Sequence, residues 1–218
     1  METNAEVLEK ALLQYAGQHV VNRIKADPAH ALDLNQELID ATVLFIDIRS
    51  FTRLSERIIS EDLMSELNAY LEKMSGILAR HNGFIDSLIG DAILAAFGLS
   101  GGRHADDACS AALGCTAALA EFNKRPGMRF PVDIGIGIHT GRVSLGNIGS
   151  AHKLKFAVTG NTVNTALRLE SLTPRYKCSI ILSGSTRKLL TLQYNISELE
   201  RIFVKGLEVQ FPVYSLRE

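Results

Sequence analysis

The hydrophobic positions of the first 27 residues follow a helical spacing. Apolar side chains recur mostly three or four residues apart, at Val7, Leu8, Leu12, Tyr15, Val20, Val21 and Ile24. This spacing places them on one face of a helix, and Pro28 ends the pattern because proline cannot continue a helix. We therefore predict a helical lead-in over residues 5 to about 25.

A buried strand and then an amphipathic helix are predicted from Thr42 onward. Residues 42–46 are β-branched or aromatic apart from one leucine, which is typical of a buried strand, and the run ends directly at Asp47. Ser60 then begins a helix with two acidic residues in its first turn. The apolar stripe of this helix consists of Leu63, Leu67, Tyr70, Leu71, Met74 and Leu78.

The remaining pattern completes a mixed sheet. Strands over 84–89 and 92–97 flank the turn pair Gly90-Asp91. A helix over 106–123, strands over about 131–138 and 142–148, and a helix that begins at Gly160 follow. The C-terminal additions are a strand over about 178–182, a short helix over 184–191, and strands over 198–204 and 210–216. The core order βαββαβ favours an α+β, ferredoxin-like sheet whose first and third strands are neighbours and whose helices cover one face.

Two aspartates end up close together in such a sheet. Strands one and two point the same way, so the turn after strand two lies at the edge where strand one ends, and we expect Asp47 and Asp91 to meet. Two neighbouring carboxylates repel each other unless they are protonated or bridged by a cation. Carboxylate oxygens without nearby Cys or His suit Mg²⁺ or Mn²⁺ better than zinc.

The composition excludes several other classes of protein. Lys and Arg number 23 against 24 Asp and Glu, so a polybasic nucleic-acid binder is excluded. The longest apolar run near the middle, residues 92–99, is far shorter than a membrane helix needs, and we expect no membrane segment within this chain. The three cysteines are odd in number and lack metal-site spacing, which indicates buried thiols in a reducing, cytoplasmic compartment.

Four motifs together resemble the class III nucleotide cyclase catalytic domain. In chain order they are residues 44–52 (LFIDIRSFT), 89–98 (IGDAILAAFG), 135–141 (GIGIHTG) and 160–169 (GNTVNTALRL). The resemblance covers about 41–216, so we assign 1–40 to a helical lead-in or linker and 41–218 to a catalytic domain. The lead-in is similar to the helix that joins such domains to upstream sensor modules, which makes a sensor domain one expected partner.

The resemblance implies a signal-transduction enzyme that converts a nucleoside triphosphate to its 3′,5′-cyclic monophosphate and pyrophosphate, with ATP somewhat favoured over GTP. The ribose 3′-oxygen attacks the α-phosphorus. Asp47 and Asp91 match the two metal-binding aspartates, with the Ile48 carbonyl as a further ligand, for two Mg²⁺ or Mn²⁺ ions. One ion would lower the pKa of the 3′-hydroxyl group and the other would hold the β- and γ-phosphates.

Further residues match substrate positions of the family. Asn164 and Arg168, four apart and hence on one helix face, match the pair that places the ribose and neutralises charge on the α-phosphoryl oxygens. The backbone over 48–52, at the start of a helix, would present N–H groups to the terminal phosphates. The named phosphate contacts are Phe51 and Thr52 on this backbone, Lys205, and Arg142 as a further candidate.

Two positions depart from the family pattern, and both are expected to contact the base. Adenylyl cyclases of this class usually carry Lys where this chain has Ser87, and Asp or Thr where it has Ala157. Guanylyl cyclases usually carry Glu and then Cys or Ser. A serine hydroxyl can donate or accept a hydrogen bond, whereas an alanine side chain can do neither. We therefore expect base selectivity to be weak or to be supplied by other residues.

The resemblance also predicts how the protein assembles. In the family the metal aspartates of one subunit face the transition-state helix of the other, so the resemblance implies a homodimer with two composite sites.

One alternative function is a non-catalytic nucleotide-binding or dimerisation module with lost turnover, against which the four matching metal and transition-state residues argue. A third hypothesis is another palm-like metal enzyme such as a diguanylate cyclase, and the absence of a Gly-Gly-Asp-Glu-Phe-type run argues against it.

Overall fold

The computed structural model describes residues 3–51, 61–99, 101–126, 131–203 and 210–217. Thr52 and Lys205, two of the predicted site residues, lie outside these ranges. The helices are α1 (Asn4–Ala26), α2 (Glu61–Arg80), α3 (His104–Asn123), α4 (Asn161–Ser171), α5 (Thr173–Tyr176) and α6 (Gly184–Lys188). The strands are β1 (Gln36–Ile48), β2 (Phe84–Ile89), β3 (Ala92–Phe97), β4 (Ile134–Ser150), β5 (Lys153–Thr159), β6 (Ile180–Ser183), β7 (Asn195–Ile202) and β8 (Phe211–Arg217).

The described strands form one sheet in the order β2-β3-β1-β4-β6-β8-β7, with β5 paired to β4 outside this path. The first and third strands are neighbours, as predicted, and β1 is antiparallel to both β3 and β4. Because β1 and β2 are each antiparallel to β3, they run in the same direction. The α+β, βαββαβ core and the C-terminal strands are therefore confirmed.

The helices cover both faces of the sheet, so the expectation of one covered face is wrong. Alternate β1 side chains point to opposite faces: Leu44 and Ile46 pack in the core cluster that includes α2 and α3 residues. Val43 and Phe45 pack in the other cluster, with Ala166 of α4. Helix α4 can dock there because β4 offers glycines, which leave room for a helix backbone.

Three of the strands, β1, β4 and β5, also differ from the prediction. The two strands expected over 131–138 and 142–148 form a single strand, β4, which pairs with β1 without interruption from Gln36 to Ile48. Strand β1 accordingly begins at Gln36, inside the region assigned to the lead-in. Strand β5 was not predicted at all, although its polar lysines alternate with apolar residues.

The lead-in is a helix, as expected, and it packs onto the sheet. Helix α1 has a kink at Gly17, whose φ of +82° lies in the left-handed region that glycine tolerates. His19 stacks on Phe156 of β5 with ring centroids 5.1 Å apart. After the helix, the Asn147 side-chain amide donates to the Ala31 carbonyl oxygen at 2.9 Å. Contacts at His19 and Ala31 thus hold the second half of the lead-in against β4 and β5.

The cysteines and the membrane prediction can be compared directly with the structure. Cys109, Cys115 and Cys178 are free thiols and are buried, as predicted. Among the described residues, no helix combines the length and the apolar character that crossing a membrane requires.

Candidate active site

The end of β1 and the turn after β2 bring Asp47 and Asp91 together. Ile46 of β1 pairs with Ile93 of β3, so the turn residue Asp91 lies beside the end of β1. The Asp91 carboxylate accepts a hydrogen bond from the Ile48 backbone N–H at 3.3 Å, and the two aspartate side chains also share a hydrogen bond. The predicted juxtaposition of the two carboxyl groups is therefore confirmed.

The electrostatics of this pair favour a bound cation. Burial, followed by the charge of Asp91 and the hydrogen bond with it, raises the pKa of Asp47 from 3.8 to about 6. A carboxyl group responds in this way when its negative charge is only partly solvated and lies beside a second one. A divalent cation would remove both causes of instability at once.

A third carboxyl group, which the sequence analysis missed, lies next to this pair. A Cβ atom on Gly135, the β4 residue opposite Asp47, would collide with the Glu170 carboxylate of α4. Burial first, and then the charge of Asp47, raise the pKa of Glu170 to about 7, while the nearby Arg49 lowers it. A carboxylate four residues after buried Ala166, on the buried face of an amphipathic helix, was the available signal.

The donor set at this edge fits Mg²⁺ or Mn²⁺. Within the described ranges, no group of three or more His, Cys, Asp or Glu side chains is placed to hold an ion on its own. Asp47, Asp91 and the Ile48 carbonyl can supply oxygen ligands. Mg²⁺ commonly takes one or two carboxylates and completes its shell with water and substrate phosphates, so two aspartates suffice.

Two backbone N–H groups at the end of β1 already donate hydrogen bonds within the chain, which corrects one expectation. The Arg49 N–H donates to the Asp133 carbonyl oxygen at 2.8 Å, and the Ile48 N–H donates to the second aspartate. These two N–H groups are therefore not presented to phosphates, contrary to the prediction for the whole stretch 48–52. Phe51 stays a candidate, its side chain packs against the core, and Thr52 lies outside the described residues.

Two other side chains near the aspartates were not predicted to contribute. The Arg49 guanidinium binds the Asp133 carboxylate and the Cys178 carbonyl oxygen, each at 2.7 Å, and so ties the end of β1 to neighbouring loops. The buried Tyr70 hydroxyl of α2 has no hydrogen-bond partner within the described part of the chain. Burial raises the pKa of Tyr70, and the two aspartates add to this rise, which keeps the hydroxyl neutral beside them.

Asn164 and Arg168 lie on the side of α4 that faces away from the sheet. Two residues correspond to about 200° of helix rotation, so these two positions lie roughly opposite Ala166 and Glu170. Ala166 is fully buried, and a Cβ on Gly137 of β4 would collide with its carbonyl oxygen, whereas Asn164 is exposed. The helix thus directs Glu170 toward its own chain's Asp47 and the predicted transition-state pair away from it.

Comparison with known proteins matches this arrangement to one family. The family model described as the adenylate and guanylate cyclase catalytic domain matches residues 35–218. The chain belongs to this family. It is 34% identical over 185 residues to an adenylate cyclase of Anabaena cylindrica, covering 81% of this chain but only 36% of that relative's length.

Solved cyclase structures have the same fold. The adenylyl cyclase CyaB from P. aeruginosa superposes with a TM-score of 0.77 and 31% identity, covering 85% of this chain and 97% of that one. The guanylyl cyclase Cya2 superposes with a TM-score of 0.72 and 32% identity, covering 83% and 92%. An adenylyl cyclase and a guanylyl cyclase thus resemble this cyclase domain to a similar degree.

The two predicted base positions lie on strands that are joined by hydrogen bonds of Asp86 and Ser87 but do not pair in the sheet. Ser87 is on β2, and Ala157 is a buried residue of β5. The structure places a residue beside them that the sequence analysis missed, because Lys155, two positions before Ala157, hydrogen-bonds to the Ser87 hydroxyl. Its signal was a lysine on the same side of an alternating segment that had not been predicted as a strand.

One predicted triphosphate contact does not lie beside the aspartates, and another falls outside the described residues. Arg142 is exposed on β4 and pairs with Asp40 of β1, seven residue pairs from the pair of Asp47 with Gly135. Lys205 lies outside the described residues. Both roles stay predictions.

Proposed function

We propose that this domain converts a nucleoside triphosphate to its 3′,5′-cyclic monophosphate and pyrophosphate. The observation that carries the proposal is the pairing of Asp47 with Asp91 at the end of β1, where burial and mutual repulsion raise the pKa of Asp47 to about 6. Two carboxyl groups held in this way are stabilised when they are protonated or bridged by a cation, and cyclisation of a triphosphate needs cations at the phosphates. Membership of the cyclase family supports the same reaction.

The chain's own residues divide into those that hold cations and those that bind substrate. Asp47, Asp91 and the Ile48 carbonyl would hold two Mg²⁺ or Mn²⁺ ions. When bound, these ions lower the pKa of the ribose 3′-hydroxyl group and neutralise the β- and γ-phosphates. The triphosphate contacts would be the backbone at Phe51 and Thr52, together with Arg142 and Lys205.

Helix α4 would stabilise the transition state. We assign the orientation of the ribose to Asn164, and the neutralisation of charge on the α-phosphoryl oxygens to the Arg168 guanidinium. Donors that are preorganised toward developing charge contribute about 3–4 kcal/mol each to transition-state stabilisation. No protein nucleophile is required, because the attacking oxygen belongs to the substrate.

The active form would be a homodimer with two composite sites. Within one chain, Glu170 of α4 lies near Asp47, whereas Asn164 and Arg168 face away from the sheet. A second copy related by a two-fold axis would offer its α4 to the aspartates of the first, and the reverse, because such an interface presents the same patch twice.

The substrate would be ATP somewhat more than GTP, and the activity would serve signal transduction. The relative described above is named an adenylate cyclase, and the chain spans 36% of its length. The kinked lead-in helix, which packs against β4 and β5, could connect an upstream sensor to the catalytic domain. The alternative is a nucleotide-binding or dimerisation module without turnover, which the unusual Ser87 and Ala157 would suit.

One experiment separates these functions. The purified protein is incubated with ATP, GTP, CTP or UTP and Mn²⁺, and the products are identified by chromatography against cyclic nucleotide standards. We expect cyclic AMP with a smaller yield of cyclic GMP, and stoichiometric pyrophosphate. Absence of every cyclic product, with both Mn²⁺ and Mg²⁺, would contradict turnover and favour the module.

A further inference from the structure

Lys155 of β5 lies beside Ser87 of β2, the position at which the sequence lacks a positively charged side chain. The Lys155 ammonium donates to the Asp86 carboxylate at 2.6 Å and also hydrogen-bonds to the Ser87 hydroxyl. Asp86 occupies a β-bulge, since the pairing of β2 with β3 shifts between Ile85 and Ser87. A bulge redirects a side chain out of the regular alternation, and here it turns the carboxylate toward β5.

The carboxylate of Asp86 is fully engaged and holds the lysine in place. Its side chain is only 1% exposed, and it accepts hydrogen bonds from the Val158 N–H at 2.7 Å and from the Ser87 hydroxyl at 2.5 Å. The side chain of Lys155, by contrast, is 48% exposed. An ammonium group has three N–H donors, and two of them have partners among the described residues, so the third is available to a ligand.

The lysine, the carboxylate and the serine line a cavity of suitable size and character. The cavity has a volume of about 690 Å³, and its walls are mainly apolar side chains of α1, β2 and β5, among them Leu12 and Leu13. Ligand sites typically combine such walls with a few well-placed polar groups, in volumes of roughly 300–1,000 Å³. The polar side chains that line this cavity include Asp86, Ser87 and Lys155, which hydrogen-bond to one another.

We propose that Lys155 contacts the base of the nucleotide and supplies there the positive charge that Ser87 does not carry. Asp86 and Ser87 position the lysine side chain. This inference rests on the proposed function, because it concerns the base of that triphosphate. The third N–H would donate to an acceptor on the six-membered-ring edge of a purine, N1 of adenine or O6 of guanine. A pyrimidine holds its acceptors nearer the ribose, so the lysine selects purines over pyrimidines and discriminates little between ATP and GTP.

The competing account gives Lys155 only a structural role as the counter-ion of buried Asp86. That account predicts that removing the lysine lowers activity by the same factor with every nucleotide. A base contact predicts unequal losses, because only nucleotides that use the hydrogen bond can lose it.

The test measures kcat/KM for ATP, GTP, CTP and UTP in wild type and in Lys155→Met. We expect a loss of about tenfold or more for the two purine nucleotides, carried mainly by KM, and a loss of less than about threefold for the pyrimidine nucleotides. Lys153→Met, an exposed lysine two residues earlier on the same strand, is the matched control and should leave all four values unchanged. Equal losses for all four nucleotides, or no loss, would overturn the assignment.

Two additions keep the outcome decisive. If Lys155→Met alone unfolds because Asp86 is left without its counter-charge, Asp86→Asn/Lys155→Met removes both charges and is measured in the same way. Equilibrium binding of 3′-deoxy-ATP and 3′-deoxy-CTP, which cannot cyclise, tests the base contact without turnover. A wild type that binds the purine analogue more tightly but forms no product contradicts the proposed function alone; binding that is unaffected by Lys155→Met contradicts the base contact alone.

Discussion

Asp91, in the turn after β2, accepts a hydrogen bond from the backbone N–H of Ile48, which lies 43 residues earlier at the end of β1. This bond joins the two segments that carry the aspartates and leaves both carboxyl groups on the same edge of the sheet. It forms only when β1 and β3 are paired in the correct register. The candidate metal site is therefore a product of the tertiary fold, and no local segment contains it.

Substitution of either aspartate should abolish cyclisation and leave the fold intact. We expect Asp91→Ala to lower kcat/KM far more than tenfold, because a single remaining carboxylate holds divalent cations weakly. Turnover is measured with Mn²⁺, and folding is checked by circular dichroism and thermal unfolding. Asp27→Ala, an exposed aspartate after α1, should retain wild-type activity. Activity of Asp91→Ala within tenfold of wild type, about 1.4 kcal/mol, would contradict the metal assignment.

The raised pKa of Asp47 should make its removal stabilising in the absence of metal. Between its ordinary pKa of 3.8 and its folded value of about 6, the folded protein keeps a proton that the unfolded chain has released. The ionised side chain therefore lowers stability increasingly from pH 4 to 6, and fully above pH 6. With solvent screening allowed for, Asp47→Asn should raise the free energy of unfolding by about 1–2 kcal/mol at pH 8 and by about half as much at pH 5.

The measurement is denaturant unfolding in EDTA at both pH values, with Asp40→Asn, an exposed aspartate on the same strand, as the control. Adding Mn²⁺ at pH 8 should reverse the order, because only the wild type gains stability from binding the ion. A stabilisation of equal size at pH 5 and pH 8, or a destabilised Asp47→Asn at pH 8, would show that the carboxyl pair is not under electrostatic stress.

The docking of α4 on β4 depends on glycine at position 137. A Cβ there would collide with the Ala166 carbonyl oxygen and the Glu170 backbone nitrogen, so α4 would have to move away from the sheet. We expect Gly137→Ala to destabilise the protein by about 1–3 kcal/mol or more, and to lower kcat because α4 carries Asn164 and Arg168.

A second glycine provides a matched control for this prediction. Gly76 lies within α2, and a Cβ added there would meet only the end of the Arg80 side chain, at an ordinary 3.7 Å. Gly76→Ala should therefore be neutral or stabilising by about 0.5–1 kcal/mol, because glycine disfavours a helix interior. Chemical denaturation of both variants decides the matter, and similar effects at the two positions would contradict the role of the close approach.

The aspartate pair could be predicted from sequence, whereas its surroundings could not. Asp47 follows a buried strand and Asp91 sits in a hairpin turn, so strand direction alone brings them together. The helical pattern puts Glu170 on the buried face of α4, but its place beside Asp47 depends on where α4 docks on β4, which local sequence does not show. That docking also explains why helices cover both faces.

The proposed base site could not be predicted from local sequence either. Lys155 reaches Ser87 because β5 adds to the edge of β4 and a bulge turns Asp86 toward it. Neither the bulge nor the long-range pairing is visible in local propensity, and β5 was not predicted as a strand. The expectation that other residues supply base selectivity has a named candidate in Lys155.

The most direct test of the composite cyclase site mixes two variants that are each inactive. Asp47→Ala lacks the metal half of the site and Arg168→Ala lacks the α4 half, so a heterodimer has one site with both lesions and one with neither. At a concentration where light scattering shows dimer and subunit exchange, an equal mixture should recover about a quarter of the wild-type rate per total protein. The mixture of Asp47→Ala with Asp91→Ala, whose lesions both fall in the metal half, should stay inactive. Failure of the first mixture to recover under these conditions would mean that each site is built within one chain.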